Sequence, residues 1–414
     1  MNYSPLDLEK QFCANNYAPP PVMLVRGQGV WVYDQQDRRY LDMMSAYSAV
    51  SFGHSHPRLV AALTEQAAQL AVVSRAFSHD RLGPFMQRLC SMTKMDKALP
   101  MNTGAEAVET AIKAARKWGY QVKGVPRDQG KIIVCDNNFH GRTTTIVGFS
   151  SHSQYRDLFG PFDEGFIRIP FGDIAALREA LTPNVIAFLV EPIQGEGGVV
   201  TPPPGYLEQA AELCRKRRVL LIADEVQTGL GRTGKVLACW HEQVQPDGVI
   251  LGKALGGGLL PVSALAGKAE LMNVFAPGDH GSTFGGNALA CRIGDEALQL
   301  LEAENLCARS EQMGRYLSEQ LEALAAPEFV AIRGRGLMRG ILLDPQHWKA
   351  HAFCQELLAR GILSKDTHGN VVRLSPPLTI GTAEIDHAVA AIADILHSRQ
   401  RNKHGAGSVF EKID

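Results

Sequence analysis

What this sequence lacks narrows it before any motif does. Lysine plus arginine number 42 against 43 aspartate plus glutamate, a formal net charge of -1, and no long basic block interrupts that balance. Nothing in the charge pattern therefore supports binding to nucleic acid or to an anionic membrane surface. None of the eight cysteines forms a CxxC pair, which argues against structural zinc and a disulfide framework and suits a reducing compartment. No uncharged apolar run reaches the roughly 20 residues of a membrane-spanning helix. The first residues, MNYSPLDLEKQF, have neither the apolar centre of a signal peptide nor the arginine-rich, acid-poor character of a transit peptide. The expectation is a cytoplasmic protein with no nucleic-acid and no membrane partner.

A chain of 414 residues exceeds the size at which single cores usually stop growing, so two domains are expected. Short apolar runs at 131–135, 185–190, 219–223, 249–251 and 262–266 read as buried strands. Helical patterns at 105–118, 173–181 and 205–217 lie between or beside them, which predicts an α/β architecture with a mostly parallel sheet covered on both faces. Upstream, residues 5–15 form a helical candidate and 30–43 a hairpin; a polar, aromatic loop at 45–57 leads into a helix at 58–70. Helices at 288–301 and 310–324 precede a smaller α+β unit with strands at 329–333, 337–343 and 371–374 and helices at 351–360 and 383–397. The expected division is an N-terminal segment, 1–50, packing with the small domain; a large domain, 51–295; the small domain, 296–397; and a flexible polar tail, 398–414.

The polar residues gather at the C-terminal ends of the strands, where open α/β sheets keep their chemistry. The run VLLIA delivers Asp224, Glu225 and Gln227, and the run ending at Leu251 delivers Lys253 beside three glycines. An aldehyde cofactor held by Lys253 as a Schiff base, with Asp224 keeping a pyridine nitrogen protonated, would use that pair. A helix cap or magnesium ligand at Asp224 and a phosphate-binding lysine are the open alternatives. Asn102 and Thr103 can cap a helix whose first residues, Gly104 and Ala105, offer free N–H groups to a phosphate, although most capped helices bind nothing. Phe139 could stack on a flat ring and Arg142 could grip a carboxylate. Glu191 and Glu196 follow the 185–190 strand. Arg373 sits in the apolar run VVRLSPP, where an unpaired guanidinium is costly and a carboxylate partner is expected. Ser282 and Thr283 could serve a phosphate or form a turn. Tyr47 lies in the loop before the large domain. His54 and His56 have no accompanying ligands at metal spacing, so no metal is expected.

Taken together, SAYSAVSFGHSHP, SRAF, PMNTGAEAVETAIKAARKWGY, NNFHGRTT, VEPIQGEGGVV, LIADEVQTGLGRTG, ILGKALGGGLLPVSA, HGSTFGGN, RGRGLMRG and VVRLSPPL resemble, in order, the class III aminotransferases of fold-type I that use pyridoxal 5'-phosphate. The likeness spans residues 15–397 and is nearer to the ornithine δ-aminotransferases than to the acetylornithine and succinylornithine enzymes. It implies a central sheet of seven-stranded type and a homodimer or higher homo-oligomer with its active site at the subunit interface. Lys253 and Asp224 would be the catalytic residues. Gly104, Ala105, Phe139, His140, Gln227, Ser282 and Thr283 would join them in holding the cofactor, Ser282 and Thr283 from the neighbouring subunit. Tyr47, Phe77, Arg142, Glu191, Glu196 and Arg373 would face substrate, with Glu191 supporting Arg142 or the surrounding network and Glu196 masking Arg373. The implied reaction moves the δ-amino group of L-ornithine to 2-oxoglutarate, giving L-glutamate 5-semialdehyde and L-glutamate. His140 departs towards the acetylornithine enzymes, since tryptophan is frequent there in the ornithine enzymes. A relative that keeps only the scaffold for binding would usually have lost Lys253 or Asp224, and both are present.

Overall fold

The computed structural model describes the backbone of residues 4–407 and the side chains of residues 4–398. Its centre is a seven-stranded sheet ordered Lys97–Met101, Ser263–Gly267, Gly248–Leu251, Leu220–Asp224, Val185–Val190, Lys131–Cys135 and Phe166–Ile169. The last five are mutually parallel. Val185–Val190 and Leu220–Asp224 are buried along their whole length, which is why they read as continuous apolar runs rather than alternating ones. The run expected at 262–266 does continue the mostly parallel sheet, as Ser263–Gly267, and it enters antiparallel to both neighbours, Gly248–Leu251 and Lys97–Met101. A buried strand has the same composition in either direction, so its orientation depends on the route of the preceding loop. Lys97–Met101 closes the edge with Pro100 inside it, a position where a missing N–H does little harm.

The helix Gly104–Trp118 follows that edge strand and buries Ala107, Val108, Ala111, Ile112, Ala115 and Trp118 against the sheet. Tyr206–Arg217 covers the other face through Leu207, Ala210 and Cys214. The chain thus passes from strand ends into helix starts on one rim, where the polar residues collect.

A second sheet, Phe329–Arg335, Met338–Leu343, Val371–Leu374 and Lys365–Thr367 in that order, is antiparallel throughout. The N-terminal hairpin Trp31–Asp34 and Arg39–Asp42 pairs in parallel with Ile362–Leu363 through Leu41 and Asp42. The helix Ala288–Ala303 runs without a break through the boundary expected at 295/296. The last helix, Thr382–Gly407, continues past its expected end at His397 and takes in part of the expected tail; residues 408–414 lie outside the described residues. Among the described residues, no helix is long and apolar enough to cross a membrane.

Candidate active site

The rim of the sheet holds a cavity of about 180 Å³ lined by Gly104, Ala105, Phe139, His140, Glu191, Glu196, Asp224, Gln227 and Lys253. Nine residues singled out in the sequence thus meet in one place. Asp224 ends its strand 5% exposed; its Oδ1 accepts the Val226 N–H and its Oδ2 accepts His140 Nδ1–H at 2.6 Å. A carboxylate is acceptor only, so this bond puts the histidine proton on Nδ1. Burial works against a charged imidazole, but the hydrogen bond and charge of Asp224 outweigh it and raise the pKa of His140. Lys253 stands in left-handed backbone, φ 45°, just past its strand, a conformation that costs an L-residue about 1–3 kcal/mol and concentrates at functional sites. Its amine makes no hydrogen bond or ion pair among the described residues. Burial lowers its pKa to about 8, with Glu196 pulling the other way.

At the far side of the cavity, Thr103 caps the helix Gly104–Trp118 in a capping box with Glu106. Among the described residues the N–H groups of Gly104 and Ala105 have no partner there, which is the geometry of an anion seat. Gln227 lines the cavity with a buried Oε1 that has no partner among the described residues. A Cβ on Gly195 would fall 1.6 Å from that oxygen, so a larger residue there would push the Gln227 amide out of its present place. A ring nitrogen against Asp224, a phosphate at the helix start and an aldehyde near Lys253 all fit these groups.

The substrate end is built around Arg373, 1% exposed. Its Nη1 lies 2.8 Å from Glu196 Oε1, and Nη2 donates to Gly195 O at 3.1 Å and Thr367 Oγ1 at 3.3 Å. The expected carboxylate partner is therefore Glu196. Burial favours the neutral acid, but the charge and hydrogen bond of Arg373 prevail and lower the pKa of Glu196. Tyr47 lays its ring 5.1 Å from the Arg373 guanidinium carbon. Glu191 behaves differently from one expectation: it has no ion pair with Arg142, and its Oε2 instead accepts the Phe139 N–H at 3.0 Å, fixing the ring wall. Burial raises its pKa to about 7.

A family model, aminotransferase class-III, matches residues 12–396. The chain belongs to the class-III aminotransferases. It is thus an enzyme of a pyridoxal-phosphate-dependent transaminase family, of fold-type I. The aminotransferase is 53% identical to an ornithine aminotransferase of Bordetella pertussis over 399 residues, 96% of this chain and 97% of the relative. Its fold matches the crystal structure of the ornithine aminotransferase from Toxoplasma gondii at 45% identity and TM-score 0.94, covering 96% and 95% of the two chains. It also matches the acetylornithine aminotransferase from Elizabethkingia anophelis at 48% identity and TM-score 0.86, covering 95% and 98%.

Six sequence candidates do not line the cavity of this chain: Tyr47, Arg142 and Arg373 at the substrate end, and Ser282, Thr283 and Phe77. Ser282 Oγ accepts Asn102 Nδ2–H at 2.8 Å, Thr283 is exposed, and neither lines the cavity. Phe77 is 68% exposed. His54 Nε2 pairs with Asp42 at 2.8 Å and His56 with Glu304 at 3.2 Å, and no group of three or more metal-ligand side chains occurs among the described residues.

Two features of the aminotransferase escaped the sequence reading. Ser45 to Ser48 form a left-handed turn with φ between 44° and 79° and no glycine, at a cost of about 1–2 kcal/mol per residue. Asp42 accepts the Met44 and Ser45 N–H groups, and Ser45 Oγ donates to Ser375 O. The fully buried Arg232 then donates to Ser45 Oγ, Ser51 Oγ, Leu337 O and Pro376 O. That guanidinium fastens the turn bearing Tyr47 to the loop just beyond Arg373. GRTG carried the signal only as an arginine between glycines.

Proposed function

We propose that this aminotransferase transfers the δ-amino group of L-ornithine to 2-oxoglutarate, and the closed Arg373–Glu196 pair beside Lys253 is the observation that carries the reading. Glutamate and 2-oxoglutarate present an α-carboxylate that suits Arg373 and a distal carboxylate that suits Arg142. Ornithine must enter by its δ-amine, with no carboxylate at that end, so a guanidinium left bare there would draw in its α-carboxylate instead. Glu196 neutralises Arg373 for that half-reaction and swings off it for the other. Tyr47 holds the far end of ornithine.

Bound pyridoxal phosphate supplies an aldehyde that exchanges amino groups and a ring that takes up electrons from the reacting carbon. Gly104 and Ala105 seat the phosphate with their free N–H groups, and Gln227 hydrogen-bonds the ring oxygen. Asp224 keeps the ring nitrogen protonated, steadied by His140. Phe139 walls the ring face. Lys253 would hold the cofactor's aldehyde through its amine, and its Nζ would move the proton at the reacting carbon. Ser282 and Thr283 complete the phosphate seat of a second copy. The exposed apolar Phe77, and Phe284 next to Thr283, support a homodimer, and eight unpaired cysteines support a cytoplasmic location.

Acetylornithine as donor is the second reading, favoured by the buried His140 and by the 48% identity to an enzyme of that name. Turnover of L-ornithine, N-acetyl-L-ornithine and 4-aminobutyrate with 2-oxoglutarate separates the two. Ornithine is expected to give the highest kcat/KM; faster turnover of the acetylated donor overturns the proposal.

A further inference from the structure

Outward from Phe139, the cavity wall continues as a file of stacked side chains running from Arg142 through Tyr155 and His152 to His368. The guanidinium carbon of Arg142 lies 4.2 Å from the ring centroid of Tyr155 and 5.8 Å from that of Phe139. Those two rings meet edge to face at 6.0 Å and 79°. Tyr155 packs in turn on His152, with ring centres 4.7 Å apart, and His152 packs on His368 at 3.8 Å. His152 is the N-cap of the short helix Ser153–Arg156 that carries Tyr155. His368 stands in the turn joining Lys365–Thr367 to Val371–Leu374, the strands that bear Thr367 and Arg373.

Arg142 is exposed, and among the described residues it has neither a hydrogen bond nor an ion pair with an acid. Among the described residues its guanidinium lies over two flat rings, those of Tyr155 and Phe139. A guanidinium lying on an aromatic face is restrained in orientation while its in-plane N–H donors stay free for a carboxylate. Burial first, then the electrostatic influence of His368 and Arg142, lowers the pKa of His152; a neutral ring stacks there without repelling the arginine.

We propose that Tyr155, backed by His152, is a positioning residue that aims Arg142 at the distal carboxylate of 2-oxoglutarate, and that the His152–His368 contact ties this grip to the hairpin bearing Arg373. The inference rests on the assignment of Arg142 to that carboxylate. A dicarboxylate held at both ends needs its two arginines at a set separation, and this file is a physical link between them. Ornithine offers one carboxylate, so the arrangement acts mainly on the oxo-acid half-reaction.

Steady-state kinetics of the cofactor-loaded enzyme test it with Tyr155→Leu, Tyr155→Phe, His152→Ala and Arg142→Gln. Leucine keeps apolar bulk without an aromatic face; the expected result is a KM for 2-oxoglutarate raised about five- to tenfold, the equivalent of about 1–1.4 kcal/mol. Both kcat and the KM for ornithine should stay within about twofold. Tyr155→Phe should restore the parent values, and His152→Ala should raise the same KM by a smaller factor. A KM for 2-oxoglutarate that Arg142→Gln raises and neither Tyr155→Leu nor His152→Ala moves overturns the positioning role alone. Equal rises for both substrates in Tyr155→Leu do the same, marking a merely structural contact. An unchanged KM in Arg142→Gln overturns the arginine assignment itself, and the positioning role with it.

Discussion

Replacing Glu196 by glutamine removes one negative charge from beside Arg373 while keeping an oxygen of similar reach. In the parent enzyme the guanidinium is 1% exposed and its Nη1 is 2.8 Å from the carboxylate. Its Nη2 is held by Gly195 O and Thr367 Oγ1, and Nε has no partner. A substrate carboxylate that reaches Arg373 must displace a hydrogen bond between two charged groups, worth about 1.5–3 kcal/mol, or about 10–150-fold in affinity. The amide retains part of that bond, so kcat/KM for L-glutamate should rise by about tenfold. The uncovered guanidinium should also capture ornithine by its α-carboxylate, in an orientation that does not present the δ-amine, and kcat/KM for L-ornithine should fall by a similar factor. Single half-reactions followed by stopped flow through the visible band of the cofactor measure both constants without the other substrate. The glutamate-to-ornithine ratio should rise by about 10–100-fold. A ratio unchanged within about twofold would refute the masking argument. Removing one member of a buried ion pair also costs up to about 3–5 kcal/mol of stability, so thermal unfolding is measured alongside. The pKa of Glu196 is lowered in the folded state. The stability it contributes is therefore fully present above the ordinary glutamate value and is lost as pH falls through the lowered one.

Two further outcomes follow from buried cations. With the pKa of Lys253 lowered to about 8, the cofactor-free enzyme binds fewer protons than the unfolded chain between about 8 and the ordinary lysine value of about 10.4, and stability rises with pH across that window. Acetylation of Lys253, followed by peptide mass spectrometry, should show a midpoint near that lower value; a midpoint shared with surface lysines would count against the burial argument. Arg232 makes four hydrogen bonds from a fully buried site where burial pushes its pKa down to about 9. Lysine cannot meet that fork of acceptors, so Arg232→Lys should lose about 2–4 kcal/mol of stability, and a melting temperature equal to the parent's would remove the pin from the account.

Much of the catalytic rim was legible because it follows strand ends. The runs at 131–135, 185–190 and 371–374 form strands with those bounds, since buried strands are rich in apolar residues, without a break at 185–190 and with only Lys131 and Arg373 interrupting the others. Lys253, Asp224, Gly104 and Phe139 converge because successive parallel strands discharge at the same rim. The edge strand Lys97–Met101 was missed because Pro100 inside it reads as a breaker. The left-handed turn at Ser45–Ser48 carries no glycine to announce it, and its stability comes from Asp42, Ser375 and Arg232 rather than from its own residues.

By itself, the sequence determined the α/β architecture, the family and the acid–lysine pair, all of which depend on local apolar periodicity and on short motifs of neighbouring residues. The tertiary structure alone decided the antiparallel insertion of Ser263–Gly267, the seat of Tyr47 and the actual contact, across 177 positions, of Arg373 with the Glu196 that the resemblance implied. Arg373 by itself signals only that a buried charge needs a partner. Which acid meets it depends on how two sheets and a loop pack, and that is a property of the assembled chain rather than of any segment in it.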